Sequence, residues 1–321
     1  MKKNVLNYNN KEEIKENLLN ENITIKKYIA NITYVCKKGG NNFKQKINQD
    51  NLFISEKFQG SKKDYFFGIC DGHGKYGKYV SSYIVTNLPN SIIKNFKENK
   101  IDLQNTKFST IKNLIIKIFI DINELLIQDK SINTKLSGTT CTCLIYTPDK
   151  IITFNLGDSR IILGKKQNDK YISEDLTIDH KPTIPDERER ILNSNGIIEP
   201  YKDINGNYSG PYRVWTKKNE NIPGLAMSRS FGDEIAHSVG VSEKPDVFQF
   251  NYKLEDKFIV MGSDGLWEFV DSQECVELVK NFYENYDIKG AVKKLYLTAK
   301  NRWINKEGAI DDITIIIIFL N

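Results

Sequence analysis

Apolar residues in this chain gather into short, nearly unbroken runs separated by polar, turn-forming clusters. Ile32 to Cys36 and Asn51 to Ser55 flank Gly39-Gly40-Asn41-Asn42, whose turn chemistry predicts a hairpin. Tyr65 to Cys70 is the next run and leads into Asp71-Gly72-His73-Gly74, after which Tyr79 to Phe96 and Phe108 to Ile127 carry helical periodicity. Gly138 to Ile145, Ile151 to Asn155 and Ser159 to Leu163 are three β runs broken by Pro148-Asp149 and Gly157-Asp158, the pattern of an antiparallel meander. Pro185 to Asn195 reads as one helix, acidic in its first turn, with Gly196 placed to cap its end. Ile197 to Gly224 is polar and rich in Asn, Gly and Tyr, so it is expected to be a long loop, functional or mobile. The run Phe258 to Met261, helices near Ser272 to Tyr283 and Ile288 to Trp303, and the run Ile313 to Leu320 complete the chain. Neither a parallel α/β alternation nor an internal repeat is visible. Residues 1–28 are polar, with Ile14, Leu18, Leu19 and Ile23 at roughly helical spacing. They read as a helical or mobile extension ahead of a single domain, residues 29–321.

Composition narrows the class. A 40% hydrophobic and 27% charged chain of 321 residues is that of a soluble globular protein. The net charge of +5 comes from 46 basic and 41 acidic residues spread along the chain, which argues against nucleic acid as a partner. Five cysteines, mostly inside apolar runs, suggest a reduced intracellular protein, cytoplasmic or nuclear. Cys141-Thr142-Cys143 has no histidine cluster nearby, so two strand neighbours are a better reading than a zinc site. Met1-Lys2-Lys3-Asn4 lacks the apolar core of a signal peptide, and Lys2 stands where myristoylation needs glycine. Ile313 to Leu320 is too short to span a bilayer, so no membrane span is expected.

Placement of carboxylates carries the chemistry. Asp71 ends the run Tyr65 to Cys70, Asp264 follows Phe258 to Met261, and Asp311-Asp312 precede Ile313 to Leu320. A carboxylate beside so much apolar surface is costly unless paired or bound to metal, and no arginine adjoins these three in sequence. An all-oxygen ligand set suits hard cations such as magnesium or manganese. Any one Asp-Gly taken alone reads first as a turn after a strand; three together favour metal. The glycine after Asp71 lets a backbone carbonyl approach an ion. His73, with glycine on both sides, could protonate a leaving oxygen, beside the plainer reading of a structural histidine; His180 and His237 have weaker claims.

Taken in order, Lys46-Ile47-Asn48-Gln49-Asp50, Phe67-Gly68-Ile69-Cys70-Asp71-Gly72-His73-Gly74, Ser137-Gly138-Thr139-Thr140, Asn155-Leu156-Gly157-Asp158-Ser159-Arg160, Asp179-His180-Lys181-Pro182, Gly224-Leu225-Ala226-Met227-Ser228-Arg229, Gly262-Ser263-Asp264-Gly265-Leu266-Trp267 and Asp311-Asp312-Ile313-Thr314 resemble the metal-dependent protein phosphatases of the 2C type. The resemblance runs from about Ile32 to Leu320. It implies an α+β fold, a four-layer α-β-β-α sandwich of two antiparallel sheets flanked by helices, with metals in a cleft at one edge. It implies hydrolysis of phosphoserine and phosphothreonine in phosphorylated protein substrates by a metal-activated water, without a phosphoenzyme. A monomer is expected. Position by position, Asp71 would bridge two Mg2+ or Mn2+ ions, the Gly72 carbonyl would bind one, and Asp264 and Asp311 would hold the other. Asp50 would steer the water, His73 would serve as the acid, and Asp158 with Glu268 would match the pair that binds a third ion in some members.

Three departures from the family pattern stand out. Gln49 takes the place of a glutamate that binds metal through water, Glu268 replaces an aspartate, and Gln45 stands where an arginine commonly grips phosphate. Lys46 would then bind phosphate as a point charge. These departures leave room for a catalytically dead binding module that keeps the fold and uses the stretch 197–224 for partner recognition, and a hydrolase of small phosphate esters is a third reading. The stretch 197–224 lies where the family has its variable flap. Tyr201, Tyr208, Tyr212, Arg213, Trp215, Lys217 and Lys218 suit phosphopeptide contact or a solvated loop equally.

Overall fold

Every residue of the strands Tyr65–Cys70 and Ile313–Leu320 is buried in the computed structural model, which describes residues 6–7, 20–23, 29–41, 44–148, 150–203, 205–216, 224–251 and 253–321. Side chains alternate along each strand, yet both faces find apolar partners. Phe66 and Cys70 join a cluster with Ile84, Leu88, Ile115 and Phe119, while Tyr65, Phe67 and Ile69 join one with Tyr34, Met261, Ile316 and Ile318. This double burial makes the runs continuous rather than alternating in sequence. Each such buried side chain stabilises by about 1.5–3 kcal/mol, and an unpaired buried carboxylate would cancel that gain. Acids therefore fall beyond the strand ends.

Two six-stranded antiparallel sheets result. Neighbours in the first are Leu6–Asn7, Asn51–Glu56, Tyr65–Cys70, Cys141–Tyr146, Lys150–Leu156 and Asp246–Asn251; in the second, Lys170–Asp175, Arg160–Gln167, Asp256–Gly262, Ile313–Leu320, Ile29–Lys37 and Asn20–Ile23. The seven helices among the described residues are α1 (Gly77–Glu98), α2 (Phe108–Gln128), α3 (Pro185–Asn193), α4 (Glu234–His237), α5 (Asp264–Trp267), α6 (Ser272–Glu284) and α7 (Ile288–Glu307). α1 and α2 cover the first sheet; α6 and α7 cover the second, packing Val276, Val279, Val292 and Leu295 onto Ile315, Ile317 and Phe319. The four layers are those expected, α-β-β-α. Asp271 caps α6 by accepting from the Glu274 N–H at 2.8 Å.

Four local expectations need correction. Ile29–Lys37 and Asn51–Glu56 are not a hairpin: they lie in different sheets, and only Gly40–Asn41 with Lys44–Gln45 turns back between them. The meander also breaks, because Cys141–Tyr146 pairs with Lys150–Leu156 but Arg160–Gln167 crosses to the second sheet. Gly157 (φ 107°) makes that corner, and its N–H is fixed by His180 Nδ1 at 3.0 Å. α3 ends two residues early, with Asn195 rather than Gly196 in the left-handed conformation, since Gly196 already begins a strand. The expected loop 197–224 is largely a hairpin, Gly196–Lys202 with Tyr208–Thr216, held by a small core of Ile191, Ile198, Val214, Val239 and Val241. Of it, residues 204 and 217–223, including Lys217 and Lys218, lie outside the described residues. So do Ile14, Leu18 and Leu19 of the anticipated N-terminal helix, while Asn20–Ile23 is a strand. Among the described residues no helix is long and apolar enough to cross a membrane.

Candidate active site

Strand register brings the acids together. Asn51 lies opposite Cys70, so Asp50 and Asp71 occupy adjoining ends of neighbouring strands in the first sheet. Gly262 lies opposite Ile315 in the second sheet, which places Asp264, at the start of α5, near Asp311 and Asp312. The two sheets meet here: Asp50 Oδ2 accepts from Ser263 Oγ at 2.9 Å and from Thr314 Oγ1 at 2.7 Å. Its other oxygen, Oδ1, is buried without a partner.

Electrostatics mark this edge as unusual. Burial pushes the carboxyls of Asp50, Asp71 and Asp264 above the usual carboxylate range, and repulsion adds to it, from Asp312 on Asp50, from Asp50 and Asp264 on Asp71, and from Asp158 and Asp311 on Asp264. Asp158 is 2% exposed; Lys181 binds one of its oxygens and the other has no partner. Lys46 pairs with Asp311 and lies 3.3 Å from Asp312. Asp312 is the more buried of these two acids and serves the backbone, accepting from the Gly39 N–H at 2.7 Å and the Gln49 N–H at 2.9 Å. Glu268 is exposed just beyond α5. Gln49 donates to the Gly74 carbonyl at 2.7 Å, a bond that an ionised glutamate could not make. Gly72 is sterically required, because a Cβ there would lie 2.5 Å from the Gly77 carbonyl oxygen.

His73 is held from outside this cluster. A small sheet of Gly72–Gly74, Ser137–Thr139 and Phe231–Gly232 sets His73 and Asp233 on either side of Gly138, where a Cβ would sit 2.1 Å from Asp233 Oδ2. Asp233 Oδ2 contacts His73 Nε2 at 2.6 Å and accepts from Ser230 Oγ at 2.6 Å. Burial lowers the imidazole pKa, but Asp233 outweighs it and the net shift is upward. His73 Nδ1 is buried and unpartnered. Sequence reasoning gives Asp233 and Lys181 no functional role, and it names Asp312 only beside Asp311 as a strand-end carboxylate. Asp233 follows the matched segment ending in Arg229 and, behind Gly232, looks like a turn residue. His180 and His237 serve backbone groups, the Gly157 N–H and the Ser230 carbonyl.

Among the described residues no three His, Cys, Asp or Glu side chains stand as a ready-made ligand set, and Asp311 and Asp158 are engaged by lysines. The donor chemistry nevertheless fits hard cations: carboxylate oxygens and a glycine carbonyl, mutually repelling, with two buried carboxylate oxygens lacking any partner.

Residues 35–305 match the family model described as protein phosphatase 2C. This chain belongs to the protein phosphatase 2C family. It is similar to two Arabidopsis thaliana proteins, probable protein phosphatase 2C 73 (30% identical, covering 90% of this chain and 82% of that one) and probable protein phosphatase 2C 34 (32% identical, 86% and 77%). Its fold is similar to that of a serine-threonine phosphatase 2C from Toxoplasma gondii, with a TM-score of 0.77 at 19% identity over 92% of this chain and 95% of that one. As a member of the protein phosphatase 2C family it is a metal-dependent protein serine/threonine phosphatase, and its substrates are phosphoproteins.

Proposed function

We propose that Asp71, the Gly72 carbonyl, Asp264 and Asp311 hold two Mg2+ or Mn2+ ions, with Asp158 and Glu268 offering carboxylates to a third. The observation that carries this is the convergence of Asp50, Asp71 and Asp264, whose carboxyls burial and mutual repulsion drive upward. When bound, the cations acidify water and neutralise phosphoryl oxygens. Asp50 Oδ1, buried and unpartnered, accepts from the attacking water and aims it at phosphorus. Lys46 adds a single positive charge near the phosphoryl group. His73, gripped at Nε2 by Asp233, presents Nδ1 to the leaving seryl or threonyl oxygen and gives it a proton. Five free cysteines support an intracellular setting, and the dispersed charge supports action as a monomer on proteins rather than on nucleic acid.

Phosphate release from a phosphothreonine peptide, followed while manganese is titrated by calorimetry, tests this directly. Binding without release would leave only a binding module, and turnover under full chelation would remove the metal assignment. Thermal melts supply a second readout. Because the pKa values of Asp50 (about 7) and Asp264 (about 8) are raised, the metal-free folded protein holds more protons than the unfolded chain between roughly pH 4 and 8. Metal-free stability is therefore expected to fall as pH rises through that window. Cations need the ionised carboxylates, so their stabilisation should grow over the same range, reaching about 2.7 kcal/mol at a hundredfold excess over Kd. An equal metal-induced shift at pH 5 and pH 8 would contradict it.

Asp233→Asn removes the charge that orients His73 while keeping its shape. Turnover of peptide is expected to drop about ten- to a hundredfold with KM little changed, the range for partners that orient a functional imidazole. An aryl phosphate, whose leaving group needs no proton, should lose far less. Equal losses on both substrates would make Asp233 merely structural.

A further inference from the structure

A cavity of about 380 Å³ opens beside His73 and is not used by the chemistry described above. It is lined by Gly74 and Lys75, which continue from His73, and by Arg213 to Thr216 of the hairpin. Ile235, Ala236 and Val239 add apolar lining. The hairpin wall is preformed: Val214 belongs to the small core with Ile191 and Ile198, and it exchanges backbone hydrogen bonds with Leu225 at 2.8 and 3.2 Å. Arg213 is pinned by donating to the Gly224 carbonyl at 2.9 Å.

Resting on the phosphatase reading, we infer that this cavity seats an apolar side chain next to the phosphorylated residue of the substrate, with an acidic neighbour held at the cavity's rim. Continuity with His73 fixes the occupant as the substrate itself, because a chain whose phosphate lies beside His73 must run its adjoining residues over this opening. The lining is largely apolar and includes Val214, Leu225, Ile235 and Leu136, the last of which is 45% exposed. Its charges are one-sided. Lys75, Lys135 and Arg213 are cationic, and the one lining carboxylate among the described residues, Asp233, already serves His73 and Ser230. One methylene more or less in a hydrophobic pocket changes kcat/KM by about 10- to 200-fold, and the lysines favour an anionic neighbour.

The test uses the full chain with manganese and a panel of phosphothreonine peptides in which each residue flanking the phosphothreonine is Leu, Ser, Asp or Lys. p-Nitrophenyl phosphate, which has no flanking residues, is the reference in every preparation. At least tenfold higher kcat/KM is expected for peptides pairing Leu with Asp. Lys75→Glu combined with Lys135→Glu should transfer the preference from Asp to Lys peptides, and Ala236→Phe, which adds bulk to the lining, should abolish the preference for Leu. The two variants change different parts of the cavity, so misfolding of the filled variant leaves the charge reversal decisive. A flat panel, or a preference that survives charge reversal, overturns the inference. Absence of turnover on peptides and ester alike overturns instead the phosphatase reading beneath it.

Discussion

Asp71→Asn is expected to lower metal-dependent turnover of a phosphothreonine peptide by at least about a thousandfold. The side chain keeps its shape and loses its charge at the point where the carboxylates of both sheets converge. Charge stabilisation by a bound cation is worth several kcal/mol, and each 1.36 kcal/mol is a factor of ten in rate. The same substitution should act oppositely on the metal-free fold. Asp71 is half-buried and repelled by Asp50, Asp264 and Asp311, so neutralising it relieves strain that the protein otherwise carries. Melting under chelation is therefore expected at the wild-type temperature or above, with the metal-induced rise much reduced. Loss of activity together with a lower chelated melting temperature would mean that Asp71 holds the fold rather than the ions.

Glu187→Ala is expected to cost about 3–5 kcal/mol of stability, the range for removing one partner of a buried ion pair, and to lower the melting temperature by about 10 °C. Glu187 lies on α3 and is 2% exposed. It accepts from Arg190 at 2.8 and 2.7 Å, from Arg229 at 2.6 Å, and from Ser228. Without it, two guanidinium groups lose their main counter-charge. Burial alone would raise the Glu187 pKa, yet the hydrogen bonds from both arginines and Ser228 carry it well below the usual glutamate value. Its contribution is thus fully present above the ordinary glutamate pKa and is lost only as pH falls through the acid range. Wild type and variant should accordingly converge in stability in strong acid. Activity should suffer as well, because the chain from Ser228 and Arg229 runs through Ser230 to Asp233, the residue that grips His73. A melting temperature within 2 °C of wild type would refute the role assigned to this network.

The carboxylates proposed as ligands were legible as candidates because they follow a local rule. Asp71, Asp264 and Asp311 sit where strongly apolar runs stop, and double burial of those runs leaves the strand ends as the place a charge can stand. Helix spans were legible for a related reason: Ile84, Leu88 and Ile92 recur at the spacing that one buried face demands. Pairing between distant strands was not. Ile29–Lys37 and Asn51–Glu56 carry the same apolar signal, and nothing in that signal says which sheet each joins, since both sheets bury both faces. The hairpin Gly196–Lys202 with Tyr208–Thr216 was missed because few of its side chains are buried, so it lacks the alternation that marks a strand.

The sequence by itself determined which groups the proposed catalytic edge has to draw on: aspartates at the ends of apolar runs, one histidine framed by glycines, and Lys46 beside the Gln45 that stands where an arginine is common. It also determined the class of layered fold. Only the tertiary structure decided how those groups are tuned. Asp233 reaches His73 across Gly138 from 160 positions away in the chain, Asp312 serves the Gly39 and Gln49 N–H groups instead of the cleft, and Gln49 clasps the Gly74 carbonyl. The physical reason is range. Burial of a run is a property of neighbours in sequence, whereas a hydrogen bond or a shifted pKa belongs to groups that meet only after the sheets have closed on each other.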